Sequence, residues 1–326
     1  MCRLGHFFTC VRIGLGWLLG CCPGQALSDS VTLYAMPSPA GIDWRNPHEL
    51  AKSVLWNHLT FVPFTLSHRI GHANVEILCE SNRQVAKRHI LTGMTNSAGT
   101  GPSDLKLLVL NGVGLGILLH NFAGTLQSES EIQQDLTERF QAQGAVSFIR
   151  FEISSATCAH LTHYFDEYRE RGFDQHYGLP NRPRYGEGAG CSAFAMSFLE
   201  LVGILDHPSF QAFKRSWSKT IRIPDRLVAK SYTQSSHSPE WLGLWRLLLP
   251  FREALSWAIE QEETAREVFF WDPDAIYHWI EAQWNSADEN SSGVFRREHK
   301  HAAIGLTADV THIRVPQGPV WLEVIP

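Results

Sequence analysis

The chain has 326 residues, a formal net charge of −5, a hydrophobic fraction of 44 % and a charged fraction of 19 %. That composition can bury a core and excludes an intrinsically disordered chain, and the acidic balance gives no basic footprint for nucleic acid. The longest run without Asp, Glu, Lys or Arg, Leu107 to Ser128, is broken by Asn111, Gly112, Gly114, Gly116, His120 and Asn121. It therefore lacks the roughly 18 uninterrupted apolar residues of a membrane helix.

Met1 to Ala26 reads as an export signal. Arg3 and Arg12 supply positive charge, Ile13 to Gly20 a short apolar stretch, and Gly24-Gln25-Ala26 ends in the small residue at which a signal peptidase cuts. Leu18-Leu19-Gly20-Cys21 offers a second reading, a bacterial lipobox whose Cys21 carries lipid and attaches the protein to a membrane. An ordinary buried helix is the third. Export would leave three cysteines, Cys79, Cys158 and Cys191. An odd count in an oxidising compartment leaves at least one thiol unpaired within the chain. Cys79 and Cys158 could pair, which the sequence leaves open.

Val31 to Ala35 reads as a strand. Asn46-Pro47 opens a helix to about His58, with Asn as N-cap and Pro at the first helical position. Ile70 to Leu78 alternates as a strand, and Arg88 to Thr92 is a shorter one. Leu107 to Leu119 suggests two strands joined around Gly112 and Gly114. Ser130 caps a helix with an apolar side of Ile132, Leu136 and Phe140, ended by Gly144. Val146 to Ile153 is a strand. Ser155 caps the next helix, which stops at Gly172 and carries the seam Cys158, Leu161, Phe165 and Tyr168. A polar loop from Phe173 to Gly190 delivers the chain to a helix beginning at Cys191, with Phe194, Phe198, Leu201, Val202 and Leu205 buried. Eight of the eleven tryptophans follow, and Ile276, Ile280 and Trp284 at helical spacing mark them as core rather than sugar-stacking surfaces. Ser238-Pro239 and Asp272-Pro273 are helix starts, and Ser286 to Ser292 is a polar linker. The expected organisation is an α+β domain over 27–206 and a mostly helical, Trp-rich addition over 207–326 that ends in a strand.

The chemistry concentrates in Tyr185-Gly186-Glu187-Gly188-Ala189-Gly190-Cys191-Ser192-Ala193-Phe194. Alternate glycines allow close backbone approach and end at a Cys in the first turn of an apolar-faced helix. Free N–H groups and the helix dipole favour a thiolate there, and the same groups, with that of Cys191, can hold an oxyanion. The competing reading is a tight loop followed by a small buried hydrophobe. A nucleophilic thiol needs a base. His72, in Gly71-His72-Ala73-Asn74-Val75-Glu76-Ile77, starts a strand whose alternation puts His72, Asn74 and Glu76 on one face, as suits a strand lining a cleft. Glu76 lies about 13 Å along that strand from His72, too far for a direct bond. A partner on the next strand, His89 or Thr92, suits the orienting role better. Tyr185 could donate to the oxyanion or simply anchor its loop.

Other chemistries find less support. A dinucleotide fingerprint begun at Gly112 would need Gly at 117, which is Ile, and no phosphate loop or His-Glu-x-x-His is present. Cys158, His160 and His163 do not share one helix side, which argues against a metal site. Glu298-His299-Lys300-His301 reads as a solvated charged stretch.

A Gly-His strand followed downstream by a loop-borne Gly-Cys-Ser helix resembles the circularly permuted branch of the NlpC-type papain-like cysteine hydrolases and acyltransferases. In papain the Cys helix comes first. In the permuted branch the His strand does, as here from about Phe61 to Leu205. The resemblance implies an antiparallel sheet packed on the Cys-bearing helix, Cys191 as nucleophile, His72 as base and a polar residue on the next strand as third member. It implies acyl transfer from an amide or ester in a peptide, cell-wall or lipid substrate, without a cofactor. The alternative from another class is an envelope lipoprotein that uses the same fold for binding or scaffolding.

Overall fold

The computed structural model describes residues 28–60, 70–80, 87–97, 114–141, 145–228, 245–248, 254–259, 264–286, 294–316 and 318–323. The export segment with Cys21, the Ser238-Pro239 start, Gly112, Gly144 and most of the Ser286–Ser292 linker lie outside these residues. No helix among the described residues is long and apolar enough to cross a membrane.

The fold is mixed α+β around a six-stranded sheet in the order β10-β11-β6-β1-β2-β3. Its strands are β1 (Ser30–Met36), β2 (His72–Cys79), β3 (Arg88–Thr92), β6 (Ser147–Glu152), β10 (Arg296–Lys300) and β11 (Ala303–Asp309). All neighbours are antiparallel except β6 and β11. The sheet is therefore mixed rather than antiparallel as expected, because β11 enters beside β6 after a long excursion of chain, which permits parallel pairing. β1 is buried along its whole length, as befits a strand paired on both sides and covered on both faces.

Each face has its own cover. Val31, Leu33, Ala35, Ala73, Val75 and Ile77 face a large core shared with three helices, α3 (Ser155–Glu170), α4 (Cys191–Val202) and α7 (Pro273–Ser286). The seam Cys158, Leu161, Phe165 and Tyr168 points into it, as do Phe194, Phe198, Leu201 and Val202. On the opposite face Tyr34, Met36, Leu91 and Phe148 pack under α2 (Glu129–Gln141) through Ile132, Leu136 and Phe140. Two helix starts fall one or two residues from their expected caps. Ser128, not Ser130, caps α2: its Oγ accepts from the Glu131 N–H while the Glu131 carboxylate takes the Ser128 N–H at 2.6 Å, a reciprocal capping box. Ser154, not Ser155, accepts the Thr157 N–H ahead of α3. α1 (Pro47–Thr60) starts as expected, with Asn46 Oδ1 accepting the Glu49 N–H at 2.9 Å.

The last third is less helical than its composition suggests. α5 (Gln211–Trp217), the short α6 (Trp245–Leu248) and α7 alternate with β8 (Ser218–Pro224), β9 (Ala265–Trp271), β10 and β11. Trp217 is buried, and Trp271, Trp279 and Trp321 pack on the main core, as expected of core residues. Helical spacing around them, however, gave no sign of the strands between. β10 and β11 extend the central sheet, and the β8–β9 ribbon shares a second core with Leu50 and Ala51 of α1. Leu115–Leu119 is a 3₁₀ turn instead of a strand. A small sheet of β4 (Met94–Asn96), β5 (Phe122–Leu126) and β7 (His176–Tyr177) completes the architecture.

Cys79, at the end of β2, and Cys158, on α3, form a buried disulfide that closes a sequence separation of 79 residues. It ties the strand that begins with His72 to the helix layer. Loop-closure entropy for a ring of that size gives about 4 kcal/mol. Replacing both cysteines by Ala should lower unfolding free energy by about 2–5 kcal/mol, read from denaturant melts in comparison with the native protein.

Candidate functional site

The site is built where β3 ends. The β2–β3 ladder stops at Val75–Thr92, whereas β2 stays paired with β1 as far as Met36–His72. One edge of β2 is thus open beside Ala73, and the first residue of α4 fills it: the Cys191 sulfur accepts the Ala73 N–H and is hydrogen-bonded to His72. The thiol takes the place that the second residue beyond Thr92 would have held had the ladder continued in register. Cys191 is 7 % exposed and His72 2 %. The pair expected from sequence is therefore in direct contact.

Local sequence places the thiol. Gly186 and Gly188 adopt positive φ, 72° and 83°, and a Cβ on Gly188 would lie 2.2 Å from the His176 carbonyl oxygen. Gly190 has ordinary extended backbone (φ −76°), and a Cβ there would meet the Gly178 carbonyl oxygen at 3.2 Å. The strained turn is therefore at Gly188, two residues before the helix. The first intrahelical bond runs from the Phe194 N–H to the Gly190 carbonyl. The N–H groups of Cys191, Ser192 and Ala193 precede it and carry the positive end of the α4 dipole, with no side-chain cap on Gly190.

The orienting partner of His72 is a residue that sequence reading missed. Its Nε2 lies 2.8 Å from Gln127 Oε1, which as a carbonyl oxygen accepts, so Nε2–H donates. In the neutral ring, Nδ1 is then the nitrogen able to take the thiol proton. Gln127 follows β5 and is held at its backbone by the next strand: its N–H donates to the Gly93 carbonyl at 2.8 Å and its carbonyl accepts from Thr92 Oγ at 3.1 Å. Thr92 thus contributes at one remove. A Gln just ahead of a capping box carries no distinctive signal, and 55 residues separate it from His72.

The other candidates are engaged elsewhere. His89 Nε2 lies 3.0 Å from Glu76 Oε1, and its Nδ1 3.3 Å from Glu129. Glu76 also accepts from Tyr34 at 2.6 Å and from Lys300 at 2.8 Å. Lys300 accordingly belongs to a partly buried ion cluster, not to the solvated stretch expected of 298–301. Tyr185 stacks with the Arg182 guanidinium, 4.1 Å from its ring centroid, which is the loop-anchor geometry. His72, Asn74 and Glu76 do share a face, but it is the buried one beneath α2 instead of an open cleft. Cys158 is committed to its disulfide, and among the described residues no group of three or more His, Cys, Asp or Glu is placed to hold a metal ion.

The electrostatics follow from mutual burial. Burial pushes the Cys191 thiol up, but the His72 charge and hydrogen bond, with help from Ser192 and the Ala73 N–H, bring it from an ordinary 9.0 down to about 7. Burial likewise disfavours a charged His72, and the Cys191 charge and hydrogen bond, Gln127 and the Asp135 carboxylate outweigh it and raise its pKa. Comparison of the chain with protein-family models, with curated proteins and with solved structures finds no match.

Two outcomes follow. Iodoacetamide alkylation of Cys191, followed by peptide mapping, should be half-maximal near pH 7; in His72→Ala, which keeps the burial and loses the cation, the midpoint should move above 9. Glu76 is the second case. Burial would raise its pKa, but Lys300, then Tyr34 and His89, hold it at about 2 against an ordinary 4.5. Its folded pKa is depressed, so this stabilisation is complete above about pH 4.5 and is lost as pH falls toward 2. Glu76→Gln should flatten the fall in melting temperature over that window, a contribution on the order of 3 kcal/mol.

Proposed function

We propose that this chain is an exported, thiol-dependent acyl-transfer enzyme of the permuted papain-like type, a hydrolase or acyltransferase acting on an amide or ester. The observation that carries the reading is the hydrogen bond between Cys191 and His72, with Nε2 of that ring held by Gln127. Nucleophile, base and orienting group in series are the constellation that thiol acyl transfer requires. Chain order supports the permuted arrangement, with the His strand β2 first and the Cys helix α4 packed against it later. The third member comes from the end of β5.

In this reading His72 Nδ1 takes the thiol proton and the Cys191 thiolate attacks the carbonyl carbon. The N–H groups at the start of α4 stabilise the oxyanion. His72 then delivers its proton to the leaving amine or alcohol as the tetrahedral intermediate collapses to an acyl-thioester. Water or an acceptor alcohol or amine, deprotonated by His72, releases the acyl group. The substrate is a peptide, cell-wall or lipid acyl donor, and no cofactor is required. The Cys79–Cys158 disulfide supports export, since such bonds persist in oxidising compartments. The Met1–Ala26 signal, with cleavage after Ala26 or lipid on Cys21, supplies the route to the periplasm or an outer-membrane surface.

The low exposure of the thiol favours a second reading, in which the fold binds or scaffolds without turnover. Cys191→Ser separates the two. A Ser hydroxyl starts from a far higher pKa and is not ionised by one His and a helix end. With peptide, amide and ester substrates, the variant should lose about 10³-fold or more in turnover while melting within a few degrees of the native protein. Native turnover that Cys191→Ser leaves unchanged, or no turnover with any substrate, assigns the chain to the binding reading.

A further inference from the structure

The amide of Gln127 has two ends, and the structure shows what decides which of them meets His72. Gln127 Nε2 donates to Asp135 Oδ2 at 3.2 Å. Asp135 stands on the second turn of α2 and is 6 % exposed. An ionised carboxylate only accepts, so it selects the NH2 end of the amide and turns Oε1 toward His72. Oε1 in turn only accepts, so it selects the proton on Nε2 of the ring. A carboxylate two side chains from the imidazole thereby determines its tautomer.

A buried carboxylate holds this role only while it remains charged. Arg139, one turn further along α2 and 2 % exposed, supplies the compensating charge. Burial lowers the Arg139 pKa to about 10, against the opposing effect of Asp135 and of Asp274, and the guanidinium stays protonated at neutral pH. Its Nη1 donates to the Pro37 carbonyl at 3.3 Å, where the chain leaves β1 beside Met36, the ladder partner of His72. Asp274 accepts the N–H groups of Ser38 and Ile42 at 2.6 and 2.8 Å, which ties the same turn to α7. The acidic group behind the site is thus seated in a buried frame of fixed charges.

We propose that Asp135 is a positioning residue that acts through Gln127 to fix the Nε2–H tautomer of His72 and to stabilise the imidazolium that forms when Cys191 ionises. The proposal rests on the reading of Cys191 and His72 as the reactive pair. Asp135→Asn preserves shape but offers both a donor and an acceptor, so the Gln127 amide can turn over and the ring can carry its proton on either nitrogen.

The test uses iodoacetamide as probe, with peptide mapping of Cys191 across pH. Asp135→Asn should move the midpoint up by about one pH unit and so cut the alkylation rate at pH 7 about fivefold. Gln127→Ala should do the same, and the double variant should be no slower than Gln127→Ala alone, because the two residues act in series. A second measurement avoids any change at Asp135: in Cys191→Ala, where no thiolate holds the ring charged, ¹⁵N chemical shifts of His72 at alkaline pH should report the Nε2–H form. The inference is overturned by a folded Asp135→Asn protein with the native alkylation profile, by additive effects of the two substitutions, or by an Nδ1–H ring. Those outcomes leave the Cys191–His72 reading standing. That reading fails separately if His72→Ala does not move the alkylation midpoint.

Discussion

Burial alone would leave both Cys191 and His72 neutral, since it raises the pKa of the thiol and lowers that of the ring. Each is charged at modest cost only beside the other. This mutual dependence organises the surroundings. The Ala73 N–H, the Ser192 hydroxyl and the start of α4 face the sulfur, whereas Gln127 and Asp135 face the ring. Donors collect on the side that becomes negative and acceptors on the side that becomes positive. Removing one charge from such a pair strands the other in a poorly solvating interior, so the two sides act as a unit.

The fold delivers these groups through a discontinuity in the sheet. Had β3 continued in register, the second residue after Thr92 would have paired with Ala73 and closed the edge that the thiol occupies. Instead the chain passes through Gly93 into β4 of the small sheet, whose partner β5 is followed directly by Gln127. A Cβ on Gly93 would lie 2.1 Å from Asn74 Oδ1, so the absence of a side chain there lets the buried polar face of β2 pass beneath the turn. The Ser128–Glu131 capping box then starts α2 at once and carries Asp135 back over the site. Three short-range features, a strand end, a glycine and a helix cap, thereby set one hydrogen-bonded series.

Along the same face of β2 lies a second polar cluster of a different kind. Glu76 collects Tyr34, Lys300 and His89, which draws together β1, β2, β3 and β10, while His89 reaches Glu129 at the start of α2. Together with the bidentate Arg88–Asp166 pair from β3 to α3, it fastens the edge of the sheet to helices on both faces. Its carboxylate is already satisfied by charged and neutral donors, the arrangement that stabilises a structure by holding a proton off. The Cys191–His72 pair instead joins two titratable groups, each of which shifts the other toward its charged form.

The sequence by itself determined the elements whose signals are local. The strand at His72, the helix at Asn46-Pro47, the apolar seam of α3 and the glycine-led helix at Cys191 are all legible, because period, caps and positive-φ turns act within a few residues. The pairing of Cys191 with His72 was legible for the same reason, since a Cys at a helix start and a His on a half-polar strand are local patterns. Helix caps were misplaced by one or two positions where several serines compete. Only the tertiary structure decided what depends on which segments meet. The parallel pairing of β11 with β6, the disulfide and the two-faced burial of β2 are contacts between distant parts of the chain. So is the choice of Gln127 over His89 as the partner of His72. An amide selected by position 55 residues away has no local signature, and the carboxylate that turns that amide has still less. Their roles exist only once β5 and α2 are folded against the end of β2.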